Sequence, residues 1–177
     1  MTGIAGHGTG GGRVRPLLWS AAALLLAAPL VAMQFTPEVQ WTGSDFLFAA
    51  IVIAVVGGAA EAAVRMNRDP FYRAGAGFAI AASFMIVWSS AAVGMIGDGD
   101  NLYTGLFLGT IGLALGGSAV ARFRPGGMAA ATAVAGVAQL GVAGAGYTAD
   151  PRGAAISAVL AGLWFVSAAC FRAAARR

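Results

Sequence analysis

The amino-acid sequence predicts an all-α fold: a polytopic membrane helical bundle of six transmembrane helices, with the N- and C-termini both cytoplasmic. Three observations carry this. Of 177 residues, 59% are hydrophobic and only 10% charged, against about 25% charged in a soluble domain. A domain of this size still exposes roughly 30% of its unfolded surface, so the apolar excess must face lipid. Six segments reach the roughly 20 apolar residues that a bilayer core about 30 Å thick requires. Finally, the arginines gather at alternate ends of those segments.

The spans are Pro16–Phe35, Asp45–Met66, Tyr72–Ile96, Leu102–Ala121, Met128–Tyr147 and Gly153–Phe171. Residues 1–15 form a flexible, Gly-rich cytoplasmic tail, residues 16–172 a single transmembrane domain, and residues 173–177 a basic cytoplasmic C-terminus. With the N-terminus inside, Arg13, Arg15, Arg65, Arg68, Arg73, Arg122, Arg124, Arg172, Arg176 and Arg177 all lie inside, and only Arg152 lies outside, as the positive-inside rule demands. Dropping the weakest span, the Ala/Gly/Val-rich fifth, would place the last three arginines outside. All eleven basic residues are arginine; with so much alanine and glycine, this fits a GC-rich bacterial genome. The arginines cap apolar runs, which is no nucleic-acid signature.

The first span has a basic lead and the apolar run "LLWSAAALLLAAPLVAM". It is too long for a signal-peptide core, and Leu30 spoils the best cleavage point after Ala32, so it reads as a retained anchor. Pro29 kinks it near its outer end. The outer segment "FTPEVQWTGSDF" (35–46) holds Glu38, Gln40, Trp41 and Asp45. Ser44 or Asp45 caps the second helix, and Trp41 rests at headgroup level. Tyr72, Tyr103, Tyr147 and Trp19 fall near span ends, matching an interfacial aromatic belt. Trp164 is mid-span and packs on a neighbour or faces lipid.

Glu61 is the one acid well inside an apolar run. It stands four residues before Arg65, the favourable order for a helical ion pair, and near the inner interface. It reads as a snorkelling structural pair or as a carboxylate reached from the cytoplasm. Gln139, close to the middle of the fifth span, reads as interhelical glue or as part of a polar pathway. The hydroxyls of Ser83, Thr110, Thr132 and Ser157 can satisfy themselves on their own helices.

The fourth span contains "GLFLGTIGLALGG" (105–117). Glycine in a helix interior costs about 1 kcal/mol relative to alanine. Gly105, Gly109, Gly112 and Gly116 share one stripe and form two GxxxG motifs, whose use between membrane helices is close backbone approach. Three occupants fit: another helix of this chain, a homo-oligomeric or other membrane partner, or a flat lipophilic cofactor such as a quinone or pigment.

Other motifs carry less. "GDGDN" (97–101) lacks the later ligands of a calcium loop and reads as a turn, with Asn101 capping the fourth helix. "GHGTGGGR" (6–13) has neither the preceding strand nor the lysine of a phosphate loop. His7 is the only histidine and Cys170 the only cysteine, which removes bis-histidine haem ligation, an internal disulfide and a CxxC site. No haem, zinc or nucleotide signature is present. "RVRP" (13–16) recurs as "RFRP" (122–125) before two spans of the same direction, and either convergence or a parallel duplicated hairpin explains it.

The stretches "MQFTPEVQWTGSDFLFAA" (33–50), "VGMIGDGDN" (93–101) and "ARFRPGGMA" (121–129) together resemble a family of uncharacterised small six-span inner-membrane proteins of Gram-negative bacteria. The resemblance covers most of the chain. It implies a multi-pass protein of the bacterial inner membrane and brings no activity or site residues. The residues themselves lead to a non-enzymatic membrane protein acting through helix packing, as accessory subunit, scaffold or homo-oligomer; the alternative is a small transporter or channel that uses Glu61 and Gln139.

Overall fold

A computed structural model of the chain describes residues 11–36, 40–92, 96 and 102–177, with backbone alone for 11–18, 21 and 92. The described residues form six α-helices and no strand: α1 (Gly11–Ala32), α2 (Gly43–Met66), α3 (Pro70–Ala92), α4 (Leu102–Val120), α5 (Pro125–Gly146) and α6 (Pro151–Ala175). Among the described residues, α2 to α6 are long and apolar enough to cross a membrane, and the chain has the make-up of a multi-pass membrane protein. In α1 the described side chains give a shorter apolar stretch, Ala22–Ala32.

Helix starts are set by local chemistry. Asp69 Oδ1 accepts the N–H groups of Phe71 (2.8 Å) and Tyr72 (3.1 Å), with Pro70 at the first helical position. Asp150 Oδ1 does the same for Arg152 (3.1 Å) and Gly153 (2.9 Å), ahead of Pro151. Proline suits this position because its missing N–H is one that the helix leaves unpaired anyway. These Asp-Pro pairs start α3 and α6 two residues earlier than hydropathy does. At α2 the expected caps are corrected. Thr42 occupies the capping position, and Asp45, three residues on, reaches back to accept its N–H (2.7 Å) and its hydroxyl (2.8 Å), half of a capping box. Ser44 pairs with the Thr42 hydroxyl at 2.7 Å. Among the described residues, α1 runs from Gly11 through Pro29 to Ala32. The first ten residues of the expected tail, His7 among them, lie outside the described residues, as do Glu38, the "GDGDN" turn and Asn101.

The chain divides into two units, Met1–Gly58 and Ala59–Arg177. In the first, the Trp19 ring lies over Gly57, 3.2 Å from where a Cβ would stand, and Trp41 packs on Phe46 with ring centroids 5.2 Å apart. In the second, α5 packs between α4 and α6, α6 also packs on α3, and α3 and α4 meet only briefly. Its core has two parts. Ala82, Ile86, Ile96, Phe107, Ala114, Ala135, Ala154 and Trp164 form one cluster that runs from mid-helix to the end away from the α4–α5 turn. Ala63, Tyr72, Ala76, Met128 and Phe171 plug the arginine-rich end.

The helices approach closely where one of them offers a small residue. The site of a Cβ on Gly75 would stand 3.0 Å from the Phe171 ring, that on Gly117 2.8 Å from Ala131 Cβ, and that on Gly136 3.0 Å from Phe165 and 3.1 Å from Trp164. Ser167 donates to the Gly75 carbonyl at 2.7 Å, joining α6 to α3. Without a hydrophobic drive between helices in lipid, such contacts and bonds are what hold a bundle together.

Candidate functional site

Within the Ala59–Arg177 unit, the glycines of α4 lie on its unpacked side. Gly105, Gly109, Gly112 and Gly116 are all exposed, and within the Ala59–Arg177 unit no atom beyond their own stretch of helix lies within 4 Å of the Cβ position of any of them. The opposite face carries the packing: Phe107, Thr110, Ala114 and Ser118 are buried. At about 100° per residue, the glycines form a strip, with Leu106 and Leu113 along one edge and Leu108 and Leu115 along the other. These four leucines are exposed too. The face is therefore a shallow groove between two apolar ridges.

Gln139 is fully buried between α5 and α6. Its Oε1 accepts the Trp164 indole N–H at 2.7 Å, and its Nε2 donates to the Ser157 carbonyl at 2.9 Å. The Ser157 hydroxyl stands 3.5 Å from the same nitrogen. Trp164 is likewise fully buried, so it packs on a neighbouring helix. Its part in this network is not legible from hydropathy, although a mid-span indole N–H needs an acceptor and Gln139 is the amide at matching depth. Ser83, Thr110 and Thr132 donate to Ala79, Phe107 and Met128 carbonyls of their own helices, at 2.9, 2.7 and 2.8 Å.

Glu61 and Arg65 form the expected i,i+4 ion pair, with the guanidinium largely exposed. The pair belongs to the arginine-rich end, close to Ala63 in the end plug. Gln139 stands eleven residues along α5 from Met128 of that plug, about 16 Å at helical rise. The structure thus does not bring Glu61 and Gln139 together.

Tyr72 departs from the expected aromatic belt. It is 2% exposed, sits edge-on to Phe171, and donates its hydroxyl to the Phe123 carbonyl at 3.3 Å. That carbonyl belongs to an unusual turn. Arg122 and Phe123 have φ of 51° and 55°. The Phe123 N–H bonds the Ser118 carbonyl and the Arg122 N–H that of Ala119, both at 2.8 Å. This is a Schellman ending with arginine where glycine is usual. Tyr147 is exposed, as a belt residue is, and Tyr103 donates to the Ala145 carbonyl at 3.4 Å.

Cys170 is a half-buried free thiol. Among the described residues, no three His, Cys, Asp or Glu side chains are grouped to hold a metal. Comparison with protein-family models, with curated proteins and with solved structures finds no match to this chain.

Proposed function

We propose that this chain is a non-enzymatic, six-span protein of a Gram-negative inner membrane, of the family whose sequence it resembles, and that it works as a homo-oligomer joined through α4. Both ends lie in the cytoplasm in this reading, which the arginine distribution supports. One observation carries the packing role: the four stripe glycines are open while the opposite face of the same helix is packed. A flat groove edged by leucines is self-complementary, so two copies can bury it against each other about a two-fold axis. A second copy is the occupant that needs no other molecule. Gln139 has its oxygen and one N–H engaged by buried groups, which favours interhelical glue over a polar pathway at that residue.

The test is the mass of the full chain in a mild, uncharged detergent, for the wild type and for Gly109→Leu/Gly112→Leu. A particle of two or more chains, reduced to one chain by the leucines with helical content retained, is the expected outcome. A monomeric wild type, an oligomer indifferent to the leucines, or a stoichiometric foreign subunit in place of the second copy overturns it.

A further inference from the structure

One end of the Ala59–Arg177 unit carries a strong excess of positive charge. The plug of Ala63, Tyr72, Met128 and Phe171 brings together the end of α2, the starts of α3 and α5, and the end of α6. The Tyr72–Phe123 hydrogen bond adds the α4–α5 turn. Arg68, Arg122, Arg124, Arg172 and Arg176 therefore stand around one rim, and all five are exposed. The acids nearby are already engaged. Asp69 caps α3, and Glu61 pairs with Arg65. Arg73 is used internally, donating to the Asn67 and Val64 carbonyls at 3.0 Å each.

The same rim is apolar just below the guanidinium groups. Val64, Met66, Phe71, Val120 and Phe123 are all exposed there, and the Arg177 guanidinium lies over the Phe71 ring, 4.4 Å from its centroid. A free phosphate or an acidic peptide would match the charges and leave this collar uncovered. A molecule with an anionic phosphodiester joined to acyl chains matches both. Guanidinium groups present planar forks of donors suited to phosphate oxygens, and basic rims at helix ends bind anionic headgroups.

We infer that the arginine rim of Arg68, Arg122, Arg124, Arg172 and Arg176 is a binding surface for anionic glycerophospholipid, with the headgroup on the guanidinium groups and the acyl chains on the apolar collar. The inference rests on the reading of α2 to α6 as membrane spans.

The full chain, purified in an uncharged detergent, is titrated with phosphatidylglycerol or phosphatidylcholine, and bound lipid is counted by native mass spectrometry. Phosphatidylglycerol is expected to bind preferentially. Its retention should fall about fivefold for each rim arginine removed, as in Arg122→Gln/Arg124→Gln and in Arg172→Gln/Arg176→Gln. Arg152→Gln, at the other end, should leave retention unchanged. Millimolar inorganic phosphate should not displace the lipid; displacement would mark a phosphate site and overturn the lipid assignment. Equal binding of the two lipids, or variants that retain phosphatidylglycerol as the wild type does, overturns the inference. Carbonate extraction of the full chain from native membranes separates the two readings: a chain that washes off loses its membrane spans, whereas one that stays but shows no lipid preference loses only this surface.

Discussion

The two sides of α4 use glycine differently. Toward α5, Gly117 lets the Ala131 methyl approach to 2.8 Å of its Cβ position, and the buried line Phe107–Thr110–Ala114–Ser118 fills the seam. On the other side, four glycines at 105, 109, 112 and 116 meet nothing described within 4 Å. The seam glycine is explained by its neighbour, because a side chain there would have to displace a methyl group. The outer glycines have no such neighbour, and each lowers intrinsic helix stability by about 1 kcal/mol on the aqueous scale. Spacing alone therefore does not identify a packing glycine. GxxxG marks where a backbone can approach, and only the surroundings tell whether one does.

Overpacking the seams is the strongest way to test that difference. Gly136→Leu drives a side chain into Phe165 and Trp164, and Gly117→Leu drives one into Ala131. Each is expected to destabilise by about 1–3 kcal/mol, read as a lowered midpoint of unfolding in detergent. If either leaves the midpoint where it was, the α4–α5–α6 contacts are looser than their geometry.

The next effect concerns the polar seam. Gln139→Leu leaves the Trp164 N–H without its acceptor in a site with no exposure, and the expected loss is about 1–2 kcal/mol. Adding Trp164→Phe removes the stranded donor as well. The double variant should lose less than the sum of the two single ones, and strict additivity would mean that the pair is not coupled.

Much of this arrangement is legible in the sequence. Hydropathy and arginine placement locate α2 to α6 to within a few residues, because each lipid-facing helix must be apolar through its length. The Glu61–Arg65 pair follows from spacing alone. Other features depend on chemistry that hydropathy averages away. Asp69-Pro70 and Asp150-Pro151 carry cap and first-turn signals that move two helix starts, and Thr42 with Asp45 takes the capping role that the sequence assigns to Ser44 or Asp45. Tyr72 reads as a belt residue by position, but its burial depends on Phe171 and Phe123, which are distant in sequence. Gln139 announces its need for partners without naming Trp164. The open side of the glycine stripe is not legible, since periodicity gives a face and not what stands opposite it.

A smaller and opposite effect is expected at the end of α4. Arg122 holds φ of 51°, a conformation that costs a residue with a Cβ about 1–2 kcal/mol. Glycine is therefore missing from the turn that ends α4, where Arg122 and Phe123 both hold the conformation that favours it, and present four times within α4 where conformation does not. Arg122→Gly should raise the unfolding midpoint in uncharged detergent, by up to about 1 kcal/mol of stability. A lowered midpoint would show that the Arg122 side chain supports the turn.

The smallest expected change is on the open face itself. Alanine at Gly105, Gly109, Gly112 and Gly116 adds four methyl groups that touch nothing described within the chain. In a dispersed monomer this should leave stability the same or slightly higher, within about 0.5 kcal/mol per site. The same four alanines should weaken self-association, because a methyl group on each glycine separates two backbones that meet there. The measurement is therefore made twice, once at high detergent dilution and once at high protein density in vesicles. Unchanged stability in the first and reduced association in the second is the signature of a face that serves a partner. A marked loss in the dilute monomer would instead mean that a segment of the same chain closes over the glycines, and α4 would then have two packed sides rather than one.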